Sequence, residues 1–590
     1  MGKWQKRALQ TLAVFAVITF AGWIWLKPAI APEKLIFTGG SIITMNPEQP
    51  TAEALYIKDG RIAGVGSLSA MRALADSSGG ADERDLNGAT LMPGLIEPHS
   101  HPIAAAQFAA TIDVSGFIHS NRAEVIQALR DGAAANSREW VLAFGWDPVM
   151  IDDLEPPTLA ELDAISPDKP LLILTQMMHD AYANSAAMEA AGIVGDVANP
   201  PAGEYVRDAN GKLTGTVREV GAINVLFGAM PPPPNGANDL LLNLFFAEYA
   251  KAGYTTVATV GPVGNDADPI GLLKRRAGNP RAPVQSIIYA LPHQITGSQT
   301  PEKNTGSVPV VGVKFWMDGS PYAGGAAVAE PYEATPLTTE RLHLKPGHKG
   351  AVMIPVSDYE RQFADYHARG FQIATHVQGE LAVERVLDVA ERVLTANPRA
   401  DHRHRLEHNA LITADQLARA HDLGFTASFF IDHVRFYGDK LPDLFGPERT
   451  DRYMPIGTAL KAGHRVTVHS DTPATPIGPL RSLVTMLARQ PNAGGPIVGA
   501  GEILTREQAL RALTINGAWQ LGLEGERGSL EVGKQADLVM LSNNLMTVPV
   551  DDIENTKVIG TWINGQPVDT RQTTLTNAGL LWDIIIGYIS

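Results

Sequence analysis

The stretch FFAEYAKAGYTTVATV, residues 245–260, joins a helical pattern that ends in glycine to a run of β-branched residues. The same order recurs in YHARGFQIATH (366–376) and in ALKAGHRVTVHSD (459–471). Glycine commonly follows the last turn of a helix, and β-branched residues favour strands. Repeated helix–strand units are typical of a parallel α/β barrel. We therefore predict an α/β fold with a parallel α/β barrel over residues 91–524, interrupted by an insertion at about 112–240.

The composition favours a globular enzyme of more than one domain. The chain has 590 residues, of which 45% are hydrophobic and 19% charged, which allows a large core. The formal net charge is −15, and beyond the extreme N-terminus there is no run rich in lysine and arginine, so nucleic acid is not an expected partner. The absence of cysteine excludes disulfides, a thiolate nucleophile and cysteine-ligated zinc.

The first residues of the sequence predict export. Basic residues precede an uncharged stretch from Ala8 to Leu26, which as a helix would be roughly 28 Å long, close to the thickness of a bilayer core. We predict that residues 1–31 anchor the chain to the extracytoplasmic (periplasmic) face of the inner membrane. Ala29-Ile30-Ala31 also fits a cleavage site, so a removed signal peptide is one alternative and a buried core helix is another.

Polar residues at the ends of the predicted barrel strands define a candidate metal site. In a parallel barrel the carboxyl ends of the strands surround the active site. His99 and His101 lie two residues apart, so both imidazoles can face one ion. Neutral imidazole suits a metal such as Zn²⁺, and a carboxylate completes the ligand set. The strand-end rule selects six residues: His99, His101, Lys314, His376, His408 and Asp471.

Lys314 differs from the other five because a cation beside a metal would be repelled. One interpretation is a structural lysine paired with an acid such as Glu407 or Asp318. In the other, the lysine reacts with CO₂, and the carbamate is an anionic oxygen ligand that can bridge two metals.

Several motifs together resemble the amidohydrolase superfamily, in the family 3 branch that includes N-substituted formamide deformylase-like proteins. The resemblance runs from about residue 33 to 570. Its main motifs in this sequence are PGLIEPHSHP (93–102), KLTGTVRE (212–219), VKFWMDGS (313–320), THVQGELAVERVLD (375–388), RHRLEHN (403–409), VHSDTPATPIGPL (468–480) and GSLEVGKQADLVML (528–541).

The resemblance implies that the barrel is a (β/α)8 TIM-type barrel, and that a small composite β-sandwich is formed by residues 32–90 and 525–575. It also implies a site for one or two divalent metal ions, Zn²⁺ by preference, in which His99, His101, His376, His408 and Asp471 are ligands and a carbamylated Lys314 is the bridge. The sequence leaves a homo-oligomer open.

The predicted reaction is hydrolysis of a non-peptide C–N bond of a small molecule, of the amide or N-formyl type. A metal lowers the pKa of a water molecule toward neutrality, and Asp471 is the expected catalytic base that passes the proton to the leaving amine. Alternatives are a cyclic amide hydrolase or a cyclic amidine deaminase with the same ligands. A further alternative is an exported binding protein without catalysis.

Two other histidines are candidate substrate-binding residues. His179 aligns with a histidine near the substrate in the family, and His433 follows another predicted strand; packed structural roles are the alternatives. His402 is expected at the solvated surface. The aromatic cluster in REWVLAFGWDP (138–148) either lines an apolar pocket or belongs to the core.

Overall fold

The structure, a computed structural model, describes residues 28–201, 203–303 and 308–589. Helices and strands alternate through most of the chain. The strands are β1 (Lys34–Thr38), β2 (Ser41–Ile43), β3 (Thr51–Ala52), β4 (Ala54–Lys58), β5 (Arg61–Gly66), β6 (Asp82–Asp85), β7 (Thr90–Pro93), β8 (Leu95–Ser100), β9 (Ile112–Asp113), β10 (Val141–Trp146), β11 (Leu171–Thr175), β12 (Asp180–Ala183), β13 (Glu204–Arg207), β14 (Leu213–Arg218), β15 (Tyr254–Val260), β16 (Gln285–Ala290), β17 (Val310–Trp316), β18 (Gln372–Val377), β19 (Arg405–His408), β20 (Thr426–Phe429), β21 (Thr467–Val468), β22 (Leu538–Leu541), β23 (Val558–Ile563) and β24 (Gln566–Pro567).

Eight parallel strands form the central barrel, in the order β8, β15, β16, β17, β18, β19, β20, β21. The first and last strands are joined at their ends, because His101 N donates to Thr472 O (2.9 Å) and Ser470 N donates to Glu97 Oε2 (3.2 Å). The barrel is therefore nearly closed, and the predicted parallel α/β barrel is confirmed.

Helices follow the barrel strands and cover the outside of the sheet. They are Ala237–Lys251, Pro269–Ala277, Val356–Ala368, Glu380–Ala396, Ala414–Asp422, Asp432–Tyr437, Leu441–Asp451, Ile456–Lys461, Pro479–Ala488, Arg506–Ala512 and Ile515–Gln520. In Glu380–Ala396, buried Val383, Val386 and Val393 recur at helical spacing. Burial of one such side chain contributes about 1.5–3 kcal/mol, so these helices fix the barrel by their apolar faces.

A second sheet lies between the first and second barrel strands in sequence. It contains β9 to β14 in the order β13, β14, β12, β11, β10, β9, and it has its own apolar clusters. Its helices, and those that flank it, are Pro102–Phe108, Arg122–Ala135, Leu159–Ile165, Ser185–Ala190 and Glu219–Gly228. Trp140 and Phe144 belong to one of these clusters and Trp146 to the other.

Both ends of the described chain meet in a pair of smaller sheets. One has the order β5, β4, β1, β6, and the other has the order β24, β23, β22, β7, β2, β3. Leu35, Phe37, Leu538 and Trp562 are buried in a common core. The helices Leu68–Ser77 and Leu575–Ile589 complete the secondary structure at the two ends.

The predicted anchor or signal segment falls mostly on residues 1–27, which lie outside the described residues. Within residues 28–201, 203–303 and 308–589, no helix combines the length and the apolar character needed to cross a membrane.

Three histidines form a hydrogen-bonded chain below the barrel strands. His367 Nδ1 accepts from His404 Nε2 (2.9 Å), and His404 N donates to His402 Nδ1 (3.0 Å). His402 Nε2 donates to Leu423 O (2.8 Å). The expectation of a solvated His402 was wrong, because its side chain is 9% exposed and both ring nitrogens are used.

His402 should make stability depend on pH. Burial lowers its pKa from 6.5 to about 4, so its contribution is complete above pH 6.5 and is lost as the pH falls toward 4. Between pH 7 and pH 5, we expect the unfolding free energy of the wild type to fall by about 2 kcal/mol more than that of His402→Gln. Glutamine can keep both hydrogen bonds but does not titrate. Urea unfolding at both pH values measures this; equal pH dependence in the two proteins would contradict it.

Candidate metal centre

The six residues selected from the strand ends lie close together at one end of the barrel. His99 is the second-last residue of β8, and His101 follows that strand. His408 ends β19, His376 lies in β18, and Lys314 lies in β17. Asp471 follows β21 by three residues. Because parallel strands share their carboxyl ends, residues that are hundreds of positions apart in sequence come within a few ångströms of each other.

Hydrogen bonds fix the tautomers of the first two histidines. His99 Nδ1 donates to Glu407 Oε2 (2.6 Å), and His101 Nδ1 donates to Gly261 O (2.8 Å). Each neutral ring therefore keeps a lone pair on Nε2. Gly261 has φ +89°, a conformation that favours glycine, and a Cβ there would lie 2.9 Å from the Trp316 ring.

Asp471 lies between two groups of imidazoles. Its Oδ1 is 3.4 Å from His99 Nε2 and 3.2 Å from His101 Nε2, while its Oδ2 is 3.9 Å from His408 Nδ1. The ring centroids of His376 and His408 are 4.2 Å apart. One carboxylate therefore faces both halves of the site.

Lys314 lies at the bottom of this group and is fully buried. Its Nζ donates to His99 Nε2 (3.1 Å) and lies 5.1 Å from the centre of the Trp316 ring. Burial lowers the pKa of the Lys314 ammonium to about 8. Among the described residues no acid forms a salt bridge with it: Glu407 pairs with Arg405, and Asp318 accepts from backbone N–H groups.

Two further side chains, Glu407 and His469, lie at the site in positions that the sequence did not predict. Glu407 accepts from His99 and is held by buried Arg405, whose Nε lies 2.5 Å from Glu407 Oε1. His469 is fully buried, stacks on His99 with centroids 4.7 Å apart, and has two ring nitrogens without a hydrogen-bond partner. Alternation along the strand was the signal for His469, since it precedes Asp471 by two residues.

The backbone is strained at the same place. His408 has φ +75° and Asp471 has φ +50°, a region that non-glycine residues rarely adopt. Asn409 (φ +60°) supports this turn through Nδ2, which donates to Leu406 O and Ser428 O. Strain of about 1–3 kcal/mol for each residue persists where surrounding contacts hold it, commonly at functional sites.

The two candidate substrate-binding histidines lie in different environments. His433 is buried, packs on Phe430 with centroids 3.7 Å apart, and contacts the edge of Tyr322. Burial lowers the pKa of His433 to about 3. His179 lies between β11 and β12, and its Nδ1 is 3.3 Å from Glu219 Oε2.

The donor set fits a divalent cation. Nε2 of His99, which accepts from Lys314 Nζ, and Nε2 of His101 both face Asp471 Oδ1, an arrangement that a divalent cation stabilises. The nitrogens of His408, Nε2 of His376 and Oδ1 of Asp471 are buried without hydrogen-bond partners. Imidazole and carboxylate together are ligands of Zn²⁺ and similar ions.

Comparison with known proteins agrees with this architecture. The profile of the amidohydrolase family matches residues 82–569. A putative amidohydrolase, YtcJ of Bacillus subtilis (strain 168), is 26% identical over 547 residues, which cover 91% of this chain and 99% of the relative. The N-substituted formamide deformylase of Arthrobacter pascens is 28% identical over 550 residues, covering 90% and 97%.

A solved structure shares the fold. The crystal structure of an uncharacterized metal-dependent hydrolase from Pyrococcus horikoshii OT3 superimposes with a TM-score of 0.70 at 21% identity, over 88% of this chain and 99% of the other. With the family match, these findings define the class of the protein. The chain belongs to the amidohydrolase family and is a hydrolase of carbon–nitrogen bonds.

Replacement of Glu407 should weaken metal binding through His99. Glu407→Gln keeps an acceptor for Nδ1 but removes the charge that makes the imidazole a better ligand, and we expect zinc affinity to fall about 10- to 100-fold. Competition with a chelator measures the affinity. Glu384→Gln, which removes a carboxylate bonded to Gln416 and Arg419 on the outer helices, is the matched control. Equal affinities for wild type and Glu407→Gln, with both folded by circular dichroism, would contradict this role.

Proposed function

We propose that the protein is a metal-dependent amidase that hydrolyses open-chain amides of small molecules, with N-substituted formamides as the first candidates. The observation that carries the proposal is the convergence of two imidazole nitrogens, Nε2 of His99 and Nε2 of His101, on Asp471 Oδ1. The name of the Arthrobacter relative supports the N-formyl class, and the fold of the barrel is compatible with it.

His99, His101, His376, His408 and Asp471 are the residues that would hold the metal. When bound, a divalent ion supplies Lewis acidity, which lowers the pKa of a water molecule and polarises a carbonyl group. The two oxygens of Asp471 face different histidines, which favours a site for two ions with a carbamylated Lys314 as the bridge.

Asp471 is the proton carrier in this proposal. Its carboxylate accepts a proton from the water whose oxygen adds to the acyl carbon. The C–N bond then breaks, and the same proton passes to the leaving nitrogen, so that the products are a carboxylic acid and an amine. The side chain of Asp471 is 14% exposed, so it is reachable from outside while its neighbours His99 and His408 are buried.

Asp471→Asn should abolish turnover. An amide side chain cannot accept the proton, and general base catalysis contributes about 100- to 10,000-fold to the rate. The measurement is kcat on N-benzylformamide, N-benzylacetamide and hydantoin with the zinc-loaded full chain. Glu384→Gln is the control variant. Glu97→Gln would not serve, because Glu97 accepts a hydrogen bond from Ser470, the residue that precedes Asp471.

The substrate panel separates the candidate activities. Hydrolysis of the formamide alone, lost in Asp471→Asn, supports the proposal. Hydrolysis of hydantoin in preference to both open-chain amides would assign the protein to the cyclic amide alternative. No hydrolysis of any of them by zinc-loaded protein would contradict the proposed substrate class.

Metal content tests the bridging role of Lys314. We expect about two equivalents of zinc in the wild type, by plasma mass spectrometry after reconstitution with bicarbonate, and one or none in Lys314→Ala. The reason is that a carbamate adds two oxygen ligands that alanine cannot supply. One equivalent in both proteins would make Lys314 structural and the site mononuclear.

A further inference from the structure

A cavity of about 720 Å³ lies between the inserted sheet and the loops of the barrel. Its volume is in the range of small-molecule sites. Aromatic and aliphatic residues form much of its wall, among them Trp146, Leu159, Tyr182, Leu213 and Tyr322.

The segment from Thr175 to His179 connects this cavity with the metal centre. Gln176 Nε2 donates to the carbonyl oxygens of Pro473 and Ala474 (3.0 Å each), directly after Asp471. His179 lines the cavity. The segment that lines the cavity through Thr175, Met177 and His179 is therefore hydrogen-bonded to the loop that carries Asp471.

Carboxylates dominate the charged part of the wall. Arg218 is 3.8 Å from Asp180 Oδ1 and 3.5 Å from Glu204 Oε2, so its one positive charge is shared by two acids. Arg341 donates to Pro148 O (2.9 Å) and to Asp152 Oδ1 (3.1 Å), which engages its guanidinium at the rim.

Glu219 is the carboxylate most available to a ligand. Its side chain is 58% exposed and accepts from His179 Nδ1 at 3.3 Å. This hydrogen bond lowers the pKa of Glu219, so the group is ionised at neutral pH. Asp180 lies close enough for its own pKa to be affected by Glu219, although burial is the largest cause of the upward shift.

The backbone at Glu219 is strained. Its φ is +62°, and its N–H donates to His179 O at 2.7 Å. A non-glycine residue held in this conformation on a cavity wall indicates that position and direction of the side chain matter there. Glu219 lies at the junction of β14 and the helix Glu219–Gly228, next to His179.

We propose that this cavity binds the amine portion of the substrate and selects an organic cation, an ammonium or amidinium group on an aromatic or aliphatic body, through Glu219 and Asp180. The inference rests on the proposed amidase function, since it assigns the part of the amide that lies beyond the scissile bond. The apolar wall takes the body of the group, and the two carboxylates take its charge.

Three planar probes of similar size and different charge test the selection: benzamidinium, benzamide and benzoate. Binding is measured by calorimetry with the zinc-loaded full chain at pH 7.5 and low salt. We expect benzamidinium to bind at least 10-fold more tightly than benzamide, and benzoate to bind most weakly. In the Glu219→Gln, Asp180→Asn double variant, the ratio between benzamidinium and benzamide should fall close to one.

Asp208→Asn is the matched control. Asp208 also lines the cavity, but its Oδ1 accepts from the backbone N–H groups of Asn210 (2.8 Å) and Lys212 (2.9 Å) in its own turn. The preference for benzamidinium should therefore be kept in this variant. Benzamide binding should stay unchanged in all variants, which shows that the cavity is still folded.

Failure of this inference can be distinguished from failure of the proposed function. Equal affinities for the three probes, or tightest binding of benzoate, would overturn cation selection even if formamides are hydrolysed. In Asp471→Asn, where turnover is lost, the preference for benzamidinium should persist. Loss of the preference in that variant would place the cation at the metal centre and overturn the assignment to the cavity.

Discussion

Three electron-rich atoms, Asp471 Oδ1 and the Nε2 atoms of His99 and His101, face one another at the centre of this protein. Cations offset their repulsion: the Lys314 ammonium, which donates to His99 Nε2, and the metal ion that we propose. The lone pairs are directed by what lies behind the rings: Glu407 for His99 and Gly261 O for His101. Glu407 in turn is held in place by Arg405, whose guanidinium lies 4.7 Å from the centre of the Tyr289 ring and donates to Pro98 O. In the low dielectric of the barrel interior such a chain is stable only when each charge has its partner.

The fold supplies this arrangement from strands that are far apart in sequence. Strands β8, β17, β18 and β19 and the segment after β21 bring their side chains to the same end, and the helices outside pack against the barrel. The strained residues His408 and Asp471 sit where the chain leaves its strand, so their side chains turn inward instead of following the strand direction. Backbone strain of this kind is sustained by packing elsewhere, here by bonds such as those from Asn409 to Leu406 O and Ser428 O.

Sequence patterns were sufficient for the barrel because helix–glycine–strand units recur and each depends on local preferences. They also predicted that six residues would be neighbours, since the strand ends of a parallel barrel converge: His99, His101, Lys314, His376, His408 and Asp471. They were not sufficient for Glu407. Its bond to His99 joins residues 308 positions apart, and nothing in RHRLEH distinguishes a positioning carboxylate from a salt-bridge partner of Lys314.

His402 shows a second limit of sequence patterns, because a residue predicted at the solvated surface is buried. A histidine between an aspartate and an arginine has the polarity of a surface residue, yet it is buried because His404 N and Leu423 O use both of its nitrogens. Burial of a polar ring depends on partners that come from other elements, and a linear pattern does not contain them.

In the proposed assignment, recognition of the substrate and cleavage of its C–N bond take place in different parts of the molecule. The groups that would hold metal come from the barrel, whereas His179, Asp180, Arg218 and Glu219 come from β11 to β14 and the turns beside them. Gln176 ties the two parts together through the loop after Asp471. Because the cavity charges lie outside the barrel strands, a substitution there can change the charge of the cavity without disturbing the candidate ligands.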